Sequence, residues 1–140
     1  MKENVHGMSY LSVKGHILYQ VAEGSWNLPM AKEYGEEAKK LVANTLPAYW
    51  VLFVDLRKWE HCPPDVWQYF DNLYLWFAEN GMIAEGIVSN QKMINHFVTK
   101  LDDGAGKPTP YGQFFSPDYA KTLQWCQLQV EEYRAKNTEA

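Results

Sequence analysis

The stretch Tyr49-Trp50-Val51-Leu52-Phe53-Val54-Asp55-Leu56 is apolar at seven of its eight positions, and its one carboxylate stands next to the end. The apolar residues follow no 3.6-residue period. Pro47 bounds the run on one side and Arg57-Lys58 on the other. A short continuous apolar run bounded in this way reads as a β-strand buried on both faces, which implies a parallel sheet covered by helices. In such sheets ligands and partners meet the carboxyl ends of the strands. The segment from Asp55 to Cys62 is therefore the expected place for function.

The flanking sequence supplies the rest of the sheet. Residues 8–13 alternate apolar and polar positions, as a half-exposed strand does. Lys14-Gly15-His16 reads as a turn, and the more apolar residues 17–24 as a second, more central strand. Asn27 is placed to cap a helix, with Pro29 in its first turn. Met30, Tyr34, Ala38, Leu41 and Thr45 share one face of that helix. Gly35, if solvent-exposed, weakens it by roughly 1 kcal/mol relative to Ala, and a close helix–sheet approach is the expected reason for it.

Beyond the central run, Val66, Phe70, Leu73 and Phe77 recur at the spacing of one helical face, from a start near Pro63 to a C′ glycine at Gly81. Residues 82–88 read as another strand. Ser89-Asn90 can cap a short helix with Ile94, Phe97, Val98 and Leu101 on its apolar face. Residues 102–110 read as a Gly/Pro-rich mobile loop. Phe114-Phe115 fits a short edge strand. Ser116-Pro117-Asp118 reads as a helix start with Ser116 as cap, followed by a stripe of Tyr119, Leu123, Cys126, Val130 and Tyr133. Residues 1–140 thus read as one α/β domain. The expected architecture is a mixed sheet of four or five strands with helices mainly on one face.

Composition narrows the function. The chain has 140 residues, a net charge of −4 and no basic cluster beyond Lys39-Lys40 and Arg57-Lys58, so a nucleic-acid footprint is not expected. Large aromatic side chains bury about 150–250 Å² each. With six Trp, nine Tyr and six Phe, some are expected at a surface, a cleft or a subunit contact. Cys62 and Cys126 form no CxxC and read as reduced thiols. No stretch has the length of a membrane span or the apolar core of a signal peptide, which makes a cytoplasmic setting the expectation.

Two segments carry a resemblance. Gly15-His16-Ile17-Leu18-Tyr19-Gln20-Val21-Ala22-Glu23-Gly24-Ser25-Trp26-Asn27, a helix, and then Val51-Leu52-Phe53-Val54-Asp55-Leu56-Arg57 together resemble STAS domains, including their SpoIIAA-like branch. The resemblance spans roughly residues 10–101. Signalling members of that family carry a phosphorylatable Ser in the turn after the Asp-Leu strand. Here that turn reads Lys58-Trp59-Glu60-His61-Cys62-Pro63-Pro64-Asp65, and Ser89 is the only Ser or Thr between Asp55 and Thr99. The resemblance therefore implies the fold without the phosphoserine switch, in relatives that bind proteins, nucleotides or lipids.

No residue pattern marks a catalyst, metal site or cofactor site. His6, His16, His61 and His96 lack ligand spacing, and Gly104-Ala105-Gly106-Lys107 lacks the Ser or Thr of a phosphate loop. Asp55 with Glu60-His61 reads as a solvated turn, and Cys62 as a small turn residue. An enzyme built on Cys62 or His61 is the least supported reading. The main reading is a non-enzymatic cytoplasmic regulatory or protein-interaction module. Its binding rim is Trp26, Asn27, Asp55, Arg57, Trp59, His61, Ser89 and Asn90, with Arg57 suited to an anionic group. The alternative is a small-molecule or lipid carrier that takes a small apolar or anionic ligand, with Trp67, Tyr74, Phe97 and residues 102–112 around an apolar pocket near the strand ends. Trp67, Tyr69, Tyr74 and Trp76 lie off the core-facing stripe of their helix and read as a homodimer interface.

Overall fold

The central run forms β3 (Trp50–Trp59), which runs three residues past the end of the apolar stretch. The computed structural model describes residues 7–95 and 111–138. Ahead of β3 come β1 (Met8–Lys14), β2 (Ile17–Gly24) and α1 (Leu28–Asn44). After it come α2 (Pro64–Glu79), β4 (Met82–Val88), α3 (helical over residues 91–95), β5 (Gly112–Ser116) and α4 (Tyr119–Thr138). The sheet order is β1-β2-β3-β4-β5. β1 pairs antiparallel with β2, and the other three pairings are parallel. The fold class is thus α/β with a mixed five-stranded sheet. α1 and α2 cover one face, and α4 lies on the other against β3, β4 and β5. His96 and Phe97, the C-terminal part of the expected Ile94–Leu101 face and the loop over 102–110 lie outside the described residues.

β3 explains both cores through period-two alternation. Trp50, Leu52 and Val54 enter the layer with α1 and α2, while Val51 and Phe53 enter the layer with α4. A bulge then breaks the alternation. Val21 pairs with Asp55 and Glu23 with Lys58, so two steps along β2 match three along β3. The extra residue shifts the parity, and Trp59 joins Trp50 and Leu52 in the α1/α2 layer.

The helices follow their apolar stripes, with corrections in α1 and α4. In α1 the buried residues are Met30, Ala31, Tyr34, Gly35, Ala38 and Val42, with Leu41 half-buried and Thr45 serving as the C-cap. The buried face is thus turned toward Ala31 and Val42, because α1 packs on α2 as well as on the sheet. The close approach at Gly35 is also to α2: a Cβ there would overlap the Tyr69 hydroxyl. In α4 the cap is Asp118, whose Oδ1 accepts from the Lys121 N–H at 3.0 Å. Ser116 belongs to β5, so α4 begins later than the Ser-Pro-Asp signature implies. Its buried line is Thr122, Cys126 and Val130, while Tyr119 and Tyr133 are over a third exposed. Thr122 is polar, yet it is tolerated there because its hydroxyl donates to the Asp118 carbonyl at 2.8 Å.

α2 buries Val66, Phe70, Leu73 and Phe77, the four residues of the expected stripe. Burying each contributes at most about 1.5–3 kcal/mol. Gly81 ends the helix with φ +106°, where a Cβ would run into the Ala48 carbonyl. The Gly81 carbonyl accepts from the Trp50 N–H at 2.9 Å, and the Trp50 indole donates to the Asn80 carbonyl at 3.0 Å. The end of α2 is thereby tied to the start of β3.

Candidate functional site

At the carboxyl ends of β2 and β3, the bulge places Asp55 and Arg57 side by side. The Asp55 Oδ1 accepts from the Arg57 backbone N–H at 3.0 Å and from its Nε at 2.9 Å, and Oδ2 accepts from Nη2 at 2.7 Å. This bidentate clamp holds the guanidinium in one orientation. Tyr119 of α4 lies beneath it, with the guanidinium carbon 5.0 Å from the ring centre. The Asp55 side chain is 9% exposed and the Arg57 side chain 53%, so the acid anchors and the base faces solvent. Lys58 stands next to the clamp, its Nζ 3.7 Å from Glu23 Oε1. Val21, Glu23, Asp55, Arg57 and Lys58 line a cleft of about 410 Å³.

The clamp sets the charge states. Burial by itself raises the Asp55 carboxyl. The Arg57 side-chain and backbone donors, with the charges of Arg57 and Lys58, outweigh that and hold it below its ordinary value. The bond to Asp55 in turn raises the already basic Arg57. The cleft thus brings two basic side chains, Arg57 and Lys58, together with two acidic ones, Glu23 and Asp55.

A second group of rim residues lies in the two turns leading into α1 and α2. The Ser25 hydroxyl donates to Glu60 Oε2 at 2.8 Å and stands 3.3 Å from His61 Nδ1. The Trp26 N–H donates to the His61 carbonyl at 3.1 Å, and the Glu60 N–H to the Gly24 carbonyl at 3.0 Å, so the turns brace each other. Because the Ser25 hydroxyl donates to the carboxylate, the grouping is not arranged as a nucleophile activated by histidine.

The expected rim residues divide by depth. Asp55 and Arg57 come together in the cleft, and His61 is exposed. Asn27 caps α1 through the Met30 N–H at 3.1 Å, and Asn90 caps residues 91–95 through the Met93 N–H at 2.9 Å. Trp26 is buried against Tyr34 and Phe70, its indole donating to the Met8 and Glu23 carbonyls. Trp59 is buried edge-on against Trp67, and Ser89 is buried at the end of β4. Those three shape the rim from beneath it. Glu23, Lys58 and Tyr119 are site residues that sequence reasoning missed. The pairing register of β2 with β3 recruits the first two, and the docking of α4 recruits the third.

The four aromatics of α2 are each half-buried. Trp67 meets Trp59 at 5.5 Å, Tyr69 fills the space left by Gly35, and Tyr74 stacks on Phe70 at 5.8 Å. Trp76 meets Phe77 at 6.0 Å and carries Lys39 over its ring at 5.1 Å. Cys62 is buried at the start of α2, and burial pushes the Cys126 thiol up to about 12. Among the described residues no group of three His, Cys, Asp or Glu could hold a metal ion, and no helix is long and apolar enough to cross a membrane.

No protein-family model matches the chain, and no curated protein matches it. Among solved structures, the chain is similar to the crystal structure of an uncharacterised protein of the DUF3478 family with a SpoIIAA-like fold, from Shewanella loihica PV-4. The TM-score is 0.66 over 90% of this chain and 98% of that one, at 16% sequence identity. The chain has a SpoIIAA-like fold, the one its β2 and β3 sequences resemble.

Proposed function

We propose that this chain is a non-enzymatic regulatory or protein-interaction module of the STAS type, working in the cytoplasm without a phosphoserine switch. It docks a partner at the strand-end rim through an acidic group. The observation that carries this reading is the Arg57 guanidinium, oriented by a buried carboxylate and open to solvent over half its surface. A preoriented arginine loses little freedom on binding, and arginine is enriched among residues that dominate interfaces. Lys58 beside it adds a second cation, and Glu23 and Asp55 set the register of a partner that carries both signs.

The test is capture from a lysate of the native host by the wild type and by Arg57→Ala/Lys58→Ala, with circular dichroism to confirm the fold. Both residues are exposed, so the fold is expected to survive. The wild type should retain a defined partner that rising salt releases, and the variant should not. Equal capture by both proteins defeats the site assignment.

The carrier reading rests on a different feature: Trp67 and Tyr74 present half-buried aromatic surface on the α2 side of the sheet. Native mass spectrometry of the freshly purified protein separates the two. A bound species of defined mass supports a carrier, and a clean apo mass supports the interaction module.

A further inference from the structure

Glu85 stands in the middle of β4, 2% exposed, on the side of the sheet covered by α1 and α2. Gln113, its pairing partner on β5, donates from Nε2 to Glu85 Oε1 at 3.0 Å. The titratable groups within electrostatic reach are Tyr34 from α1, Tyr74 from α2, Tyr111 just before β5, and Cys126 from α4 across the sheet. On β3 its neighbour is Leu52. Among the described residues no cation faces it. Asp71 of α2 adds only negative charge, beside Tyr111. The Tyr34 hydroxyl is buried facing that of Tyr74 without a hydrogen bond of full geometry.

We infer that Glu85 is a proton-responsive latch: uncharged, it holds β5 and Tyr111 against β4 and the α1/α2 layer, and its ionisation loosens that corner of the fold.

The physical case begins with charge. A buried carboxylate without a countercharge is strongly disfavoured, so the group keeps its proton instead. Burial pushes Glu85 from 4.5 to about 7, with only the Gln113 amide pulling the other way. The three tyrosines are themselves raised by burial, so they stay neutral and offer no charge. The sign follows directly. From pH 4.5 upward the folded chain holds a proton that the unfolded chain releases, so this contribution to stability falls as pH rises to about 7. Above that value the carboxylate is ionised inside the layer, and letting water in relieves it. β5 is the element placed to yield. It has five residues, lies at the sheet edge and is paired to β4 alone among the described strands.

Hydrogen exchange of the whole chain, corrected for the intrinsic pH dependence of amide exchange, tests this at pH 5.5 and 8.5. In the wild type, protection of the β5 amides should lie below that of β2 and β3 at both values and fall at least tenfold between them. In Glu85→Gln it should stay constant. Equal pH dependence in both proteins, or β5 amides as well protected as those of β2 and β3, overturns the latch. A titration of the Glu85 carboxyl in the wild type by carbon NMR guards against a variant that fails to fold. A midpoint near 7, in step with β5 opening, supports the inference, and one near 4.5 overturns it.

Discussion

Asp55 is the residue through which the rim is built, because its two oxygens take three donors from Arg57. Asp55→Asn should cost about 1–3 kcal/mol at neutral pH, the range for a charged hydrogen bond lost from a buried site. Asp55 is depressed below its ordinary value, so its contribution is present above roughly pH 4 and is lost as pH falls through the folded value. The gap between wild type and Asn variant should therefore close in acid. Urea denaturation at neutral pH and near pH 3 checks this, and a gap of the same size at both would show that charge is not its source. Gly86 offers a steric test. A Cβ there would overlap the Cys126 sulfur and press on Thr122, both in the contact between β4 and α4. Gly86→Ala should destabilise by about 1–3 kcal/mol, and Cys126→Ala in the same chain should recover part of it. Simple additivity of the two changes would mean that the layer gives way elsewhere.

At the scale of elements, caps and strands were easier to read than buried faces. Asn27, Pro29, Pro63 and Gly81 act through local backbone geometry, and each stands where its local signal placed it. Ser116 was the exception. Its reading as a cap depends on where β5 stops, and pairing with β4 extends β5 through Ser116. Asp118→Ala should accordingly lower stability by about 0.5–2 kcal/mol, the usual effect of losing an N-cap. Thermal denaturation followed by circular dichroism reads it, and an unchanged midpoint would mean that Asp118 does not cap α4. The rotated face of α1 was hidden for a related reason. A helix that packs on a sheet and on a second helix buries two adjacent stripes, and the periodicity of one stripe cannot show which flank the neighbour takes.

At the scale of the molecule, the aromatic face of α2 leads us to propose a homodimer. Trp67, Tyr69, Tyr74 and Trp76 each keep part of their surface in solvent, and Leu75 between Tyr74 and Trp76 is 51% exposed. A two-fold contact needs only one such patch per chain, and a stable one buries on the order of 1,000 Å². Trp76→Glu should abolish association in light scattering while leaving the circular dichroism spectrum unchanged. A monomeric mass for the wild type at micromolar concentration defeats the proposal.

The sequence alone determined the α/β class, most of the strands and helices, and the buried central strand. These follow from short-range alternation, periodicity and turn chemistry, which every stretch of chain carries within itself. Tertiary structure decided the rest. Trp59 was read as a rim contact, but an inserted residue in β3 turns it inward, and a bulge is defined only against the partner strand. Lys58, Glu23 and Tyr119 became neighbours of Arg57 through the β2–β3 register and the docking of α4. Glu85 sits in a strand whose letters show one acid among apolar residues. Its burial among neutral hydroxyls exists only once β5, α1 and α2 close around β4. Contacts between residues distant in the chain depend on register and packing, and no local pattern encodes either.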